Sequence, residues 1–197
     1  MSKNTIIGLV IAGVLLFWGI GVRNNMATGD QEVKAKWANV QSAYQRRSDL
    51  IPNLVKTVQG VANFEKQTLS DVISARASAT QIKLDANDLT PENIQKFQAA
   101  QSQLQGSLSR LMAVAENYPQ LKATENFSEL QAELAGTENR IKRERDVFNE
   151  AVQGFNNSVV KFPNSLIASF SGYKEKGYFQ ADAGAEKAPT IDFDTKK

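Results

Sequence analysis

The chain has 197 residues and a formal charge of +2, from 23 Lys and Arg against 21 Asp and Glu. It contains no cysteine and no histidine, which excludes disulfide frameworks, thiolate and imidazole metal sites, thiol nucleophiles and Ser-His-Asp catalysis. The balanced charge argues against a nucleic-acid binder, and any chemistry left would run on carboxylates, Lys, Arg, Tyr or Ser.

Thr5 to Val22 is an uncharged apolar run of 18 residues. At about 1.5 Å per residue it spans about 27 Å, close to the hydrocarbon thickness of a bilayer. Lys3 and Arg23 bracket it, and Trp18 lies near one end, where an interfacial aromatic belongs. A cleavable signal peptide would have a shorter apolar core and a small-residue cleavage site; Gly21–Val22–Arg23–Asn24 is a poor one. Residues 1–24 are therefore expected to be an uncleaved transmembrane anchor, with the lipid bilayer as partner. Gly8, Ala12 and Gly19 share one helix face and would let two anchors approach closely, although glycine is common in membrane helices in any case. The short basic head before the run favours an extracytoplasmic body.

Residues 25–171 are expected to form an all-α, up-and-down bundle of long helices. Ala, Gln, Leu, Glu and Lys dominate, and strand and hairpin signals are missing. A first apolar seam runs through Val33, Trp37, Val40, Tyr44, Arg47, Ile51, Leu54, Val58, Val61 and Glu65 to Leu69, Val72, Arg76 and Ala79. Pro52 interrupts it, and an interior proline costs about 3 kcal/mol. Unbroken spacing across Pro52 suits a kinked helix, giving three helices. Length matching suits a break, giving four: about 50 residues would span about 75 Å, against about 42 Å for the next helix. A break or sharp bend is the expectation. Arg46, Arg47 and Asp49 cluster there as a junction lock or partner contact.

A second seam, Ile94, Phe97, Gln101, Leu104, Leu108, Leu111, Ala115 and Tyr118, follows Thr90–Pro91, a cap and first-turn pair. In the third, Phe127, Leu134, Ile141, Phe148, Phe155 and Phe162 recur every seven residues, the pattern of a coiled-coil-type helix. It is expected over about Glu125 to Lys161, followed by a short helix near Ser165–Ser171. Residues 172–197 read as an extended tail. Its aromatics Tyr173, Tyr178, Phe179 and Phe193 could clip it along the bundle or into a neighbour.

Polar residues sit at apolar phases: Glu65, Arg76 and Gln101, then Glu138 with Arg145 and Asn149 with Asn156, each pair seven apart. Buried charges need partners, so an internal polar network is expected, with Glu138 paired to Arg145. A di-metal carboxylate site would want Glu-x-x-His pairs, which a chain without histidine cannot supply. No cofactor is expected. The Arg140–Asp146 run interleaves acids with bases and reads as a solvated face, not a nucleic-acid patch.

Trp37 and the stretch Arg46–Arg47–Ser48–Asp49–Leu50–Ile51–Pro52–Asn53–Leu54–Val55–Lys56–Thr57–Val58–Gln59–Gly60 resemble the signature of the bacterial LemA family. Thr137–Glu138–Asn139–Arg140–Ile141, Phe148–Asn149–Glu150–Ala151–Val152, Phe162–Pro163–Asn164–Ser165–Leu166–Ile167–Ala168 and Tyr178–Phe179–Gln180–Ala181–Asp182 are similar to its later blocks. Phe148 and Phe155 stand where the family usually has Tyr, and Gln180 where it often has an acid. The resemblance implies a single-pass bacterial (inner) membrane protein with an up-and-down helical body. It implies no reaction and no catalytic residues. With the anchor and the aromatic tail it leads us to expect a non-enzymatic scaffold, forming a homo-oligomer through anchor or tail contacts or binding other envelope membrane proteins. A sensor or adaptor switching at Pro52 is the alternative.

Overall fold

Ser2 opens the first helix, its hydroxyl accepting from the Thr5 amide at 3.3 Å. Nothing then ends that helix for 57 residues: α1 runs Lys3–Gln59. The computed structural model describes residues 2–61 and 64–181. The further helices are α2 (Lys66–Gln81), α3 (Pro91–Ala115), the single turn α4 (Pro119–Lys122), α5 (Glu125–Val160) and α6 (Asn164–Ser171). No strand occurs among the described residues. Thr90 caps α3 by accepting from the Asn93 amide at 3.3 Å, with Pro91 in the first turn.

α1 and α5 pack antiparallel, bringing Gly29 against Phe155 and Arg47 against Glu138. α2 and α3 form a second antiparallel pair. Side chains from α1 reach α3, as in the Trp37–Phe97 and Tyr44–Phe97 edge contacts at 5.2 and 5.1 Å. The core falls into two parts. One, built on Met26, Val33, Trp37, Phe148, Val152 and Phe155, lies toward the apolar run. The other, built on Ile51, Leu54, Val58, Leu104, Leu111 and Phe127, lies at the far end.

The expected break at Pro52 does not occur. α1 passes through Pro52 and ends at Gly60. Proline has no N–H to give the carbonyl four residues back, here that of Ser48. Arg76 supplies the missing donor: its Nε bonds the Ser48 oxygen at 2.9 Å. A guanidinium from α2 thus seals the hole that proline opens in α1. Shifting the break to Gly60 also moves Glu65 out of seam phase. It sits at the α2 cap, 44% exposed, with its carboxylate 4.0 Å from Arg110, and is not part of an internal network. Arg46 is exposed, and Asp49 accepts from Gln45 of its own helix at 2.7 Å. Of the charged cluster at this junction, Arg47 alone enters the core.

Candidate functional site

Where the two core halves meet, α1 carries Arg47, 1% exposed. Its guanidinium Nη1 donates to both Glu138 oxygens on α5, at 3.0 and 3.3 Å. Its Nη2 donates to the Gln101 main-chain oxygen at 3.3 Å and to the Gln101 side-chain oxygen on α3. The Tyr44 ring lies 5.0 Å from the guanidinium carbon. One side chain therefore ties three helices together. Glu138 pairs with Arg47, not with Arg145 one heptad along its own helix. The geometric reason is direct: neighbours on one helix face are three or four residues apart, and Arg145 is turned toward the tail.

That tail is the second part of the site. Gly172 ends α6 in the left-handed conformation, φ 75°. The amides of Gly172 and Tyr173 close a Schellman pattern on Ser169 and Ala168. Residues 173–181 then run extended across α5 and the start of α3. Asn156 grips the main chain of Lys176 at both its N–H and C=O, 2.9 Å each. Asn149 grips Phe179 in the same way, 2.9 Å each. Gln98 on α3 does so for Gln180, at 2.8 and 3.0 Å. Seven helical residues rise about 10.5 Å and three extended residues cover about 10 Å. The heptad spacing of Asn149 and Asn156 is thus the spacing at which two carboxamides meet alternate grips on an extended chain. Both asparagines hold the tail instead of joining an internal polar network.

Phe179 is buried among Trp37, Phe97 and Phe148 at ring distances of 6.2, 6.4 and 5.5 Å. Arg145 stacks on it at 5.0 Å and donates to the Gln180 oxygen at 2.8 Å. Tyr173 packs edge-on against Phe155 at 5.9 Å, while Tyr178 stays 42% exposed. Phe179 is therefore used within its own bundle, and Tyr173 packs against that bundle while partly exposed. Phe193 lies outside the described residues. Gly177 is required by space: a Cβ there would sit 2.6 Å from the Pro91 Cα and 2.9 Å from the Thr90 oxygen. In the apolar run of α1, Gly8 and Ala12 are exposed. Gly19 is already approached by Ile167 of α6, 3.5 Å from where its Cβ would be.

Asp30, Lys176, Gln98 and Gly177 were not legible as site residues. The signal that could have found them is the Asn149–Asn156 pair beside a Gly-rich tail. Asp30 receives Lys176 at 2.7 Å and Lys34 at 2.8 Å. Burial acts to raise its carboxyl, but the hydrogen bonds and charges of the two lysines outweigh it and hold it below the ordinary carboxylate range. A lowered folded pKa gives stability that is present above the unfolded value of about 3.9 and is lost as pH falls through the folded value. Acid should therefore narrow the stability gap between wild type and Asp30→Asn below about pH 4. Melting curves of both proteins against pH check this, and a gap that widens in acid contradicts it.

A trough of about 530 Å3 opens beside Arg47, walled by Gln105, Asn139, Lys142 and the end of the tail. Among the described residues no three Asp or Glu side chains converge on a metal-sized site. What the arrangement does chemically is hold: charge against charge at Arg47, and carboxamide against main chain along 176–180.

A family model described as the LemA family matches residues 36–193. The chain belongs to the LemA family. Its match covers the Arg47 layer and the clamped tail together. Among relatives of this LemA-family chain, magnetosome proteins MamQ 1 and MamQ 2 of Paramagnetospirillum magneticum are each 27% identical over 174 residues, 80% of this chain and 64% of theirs. Protein LemA of Metamycoplasma hominis is 23% identical over 189 residues, 96% of this chain and 81% of its own. The chain thus spans just under two thirds of the length of the MamQ relatives. None of these names specifies a reaction. The exposed apolar start of α1, where an 18-residue window has mean hydropathy 2.4 and is 0% buried, is long and apolar enough to cross a membrane.

Proposed function

We propose that this LemA-family protein is a non-enzymatic, single-pass scaffold of the bacterial inner membrane, self-associating and binding other envelope membrane proteins, with its body on the extracytoplasmic side. The observation that carries the reading is the continuity of α1. The same helix that offers Thr5–Val22 to the bilayer supplies Met26, Val33, Trp37, Arg47 and Leu54 to the core. A body built on its own anchor is held at a set height and angle, which suits a post on which other proteins assemble. Relatives named for the magnetosome and not for a reaction agree with a structural role.

Self-association falls to the exposed Gly8–Ala12 face and to the outer faces of the bundle, since Tyr173 and Phe179 are used within the chain. Confinement in a membrane raises the effective concentration of neighbours, so weak contacts sum. The intact protein, extracted in several mild detergents, is expected to give a native mass above that of a dimer. Deleting residues 172–197 should lower the melting temperature and leave the number of chains per particle unchanged. A monomeric mass in every detergent, at concentrations matching those in the membrane, overturns self-association.

A further inference from the structure

α6 presents an apolar edge that the bundle does not use. Leu166 and Phe170 fall four apart on one side of the helix, and Phe162 lies just before it. They are 54%, 91% and 82% exposed. Ala168 points the other way and is 2% exposed, in the core with Met26 and Val159. Ser165 and Ser169 fall on a different side from Leu166 and Phe170, and the Ser169 hydroxyl bonds the Ser165 carbonyl at 3.0 Å. A contiguous apolar edge of this kind on a water-facing helix marks an interaction surface.

The position of α6 identifies what covers that edge. Ile167 packs over Gly19, inside the apolar run of α1 and four residues before Arg23. Four helical residues rise about 6 Å. The Ile167 side chain of α6 therefore reaches about 6 Å inside the charged end of the anchor, and amphipathic helices in a bilayer interface bury their apolar face by about 5–10 Å. Exposed Lys161 and Lys174 flank α6 in sequence and exposed Arg23 ends the apolar run of α1, the residue types that meet anionic headgroups. We propose that α6 is a second membrane contact, its Phe162–Leu166–Phe170 edge seated in the interface of the same bilayer that takes Thr5–Val22. The proposal rests on the anchor reading above and deepens it. One transmembrane helix alone leaves a body free to rotate about the helix axis. A second contact beside it fixes which face of the bundle turns toward the membrane.

The absence of cysteine makes the test clean. Single-cysteine variants Leu15→Cys, Leu166→Cys, Phe170→Cys and Ser78→Cys carry an environment-sensitive fluorophore. Each full-length protein is reconstituted in vesicles of phosphatidylethanolamine and phosphatidylglycerol, with or without lipids bearing a quencher near the headgroup. Blue-shifted emission that lipid quenches is expected at 166 and 170, as at 15, with water-like and unquenched emission at 78. Water-like emission at 166 and 170 with quenching at 15 overturns the proposal and leaves the anchor standing. Blue-shifted but unquenched emission at 166 and 170 puts another protein copy on this edge and also overturns it. No quenching at 15 overturns the anchor and the proposal together.

Discussion

Glu138→Ala is expected to lower the unfolding free energy by about 3 kcal/mol, the low end of the cost of breaking a buried ion pair. The low end applies because the Glu138 side chain is 31% exposed and water reaches it, whereas that of Arg47 is 1% exposed and keeps its charge without a counterion. The double replacement Arg47→Met, Glu138→Leu removes both charges and fills much of the space. It should cost less than Glu138→Ala alone, with a residual of about 1 kcal/mol from the polar atoms of Gln101 left without a donor. Denaturant melts of wild type, Glu138→Ala, the double variant and the single changes Arg47→Met and Glu138→Leu check this. Additivity within about 0.5 kcal/mol would mean that the two residues do not act as a pair.

Phe179→Ala should undock the tail. Phe→Ala in a core costs about 3 kcal/mol or more, and this ring fills the centre of an aromatic cluster between α1, α3 and α5. The loss is bounded by what docking of residues 173–181 contributes, because once the tail is off no further contact is lost. Undocking exposes the bond after Lys176, which is 9% exposed when docked. Trypsin should therefore cut there faster in Phe179→Ala than in wild type, with the helical signal retained. Gly177→Ala should give the same cleavage through a different cause, the clash with the Pro91 backbone. Unchanged cleavage in both variants contradicts a tail held by this site.

The helices were legible because their seams are long and regular. Thr90–Pro91 marked the start of α3, and the seven-residue repeat from Phe127 marked α5. The continuity of α1 through Pro52 is not legible in the sequence, because a proline rule is local. The donor that satisfies Ser48 comes from Arg76, which is 28 residues away and adjacent only after α2 has folded back. The same limit applies to Glu138. Periodicity shows that it lies on an inward stripe, but not that its partner is on another helix. Gln98 and Asp30 carried no periodic signal, because they act on main chain and on a tail lysine, not on a seam. The Asn149–Asn156 pair was visible as a repeat. Its purpose follows only from the match between two helical turns and three extended residues.

The proposed scaffold depends most directly on α1 being one straight helix from its apolar run through Pro52. Spin labels on Arg23→Cys and Gln59→Cys, in a chain with no other cysteine, lie 36 residues apart on α1, or about 54 Å at the helical rise. Pulsed electron-spin distance measurement of the protein in lipid nanodiscs should return one narrow distribution near about 54 Å. A broad distribution, or one centred well below that length, would show that the helix bends or breaks, and would contradict a body carried rigidly on its anchor.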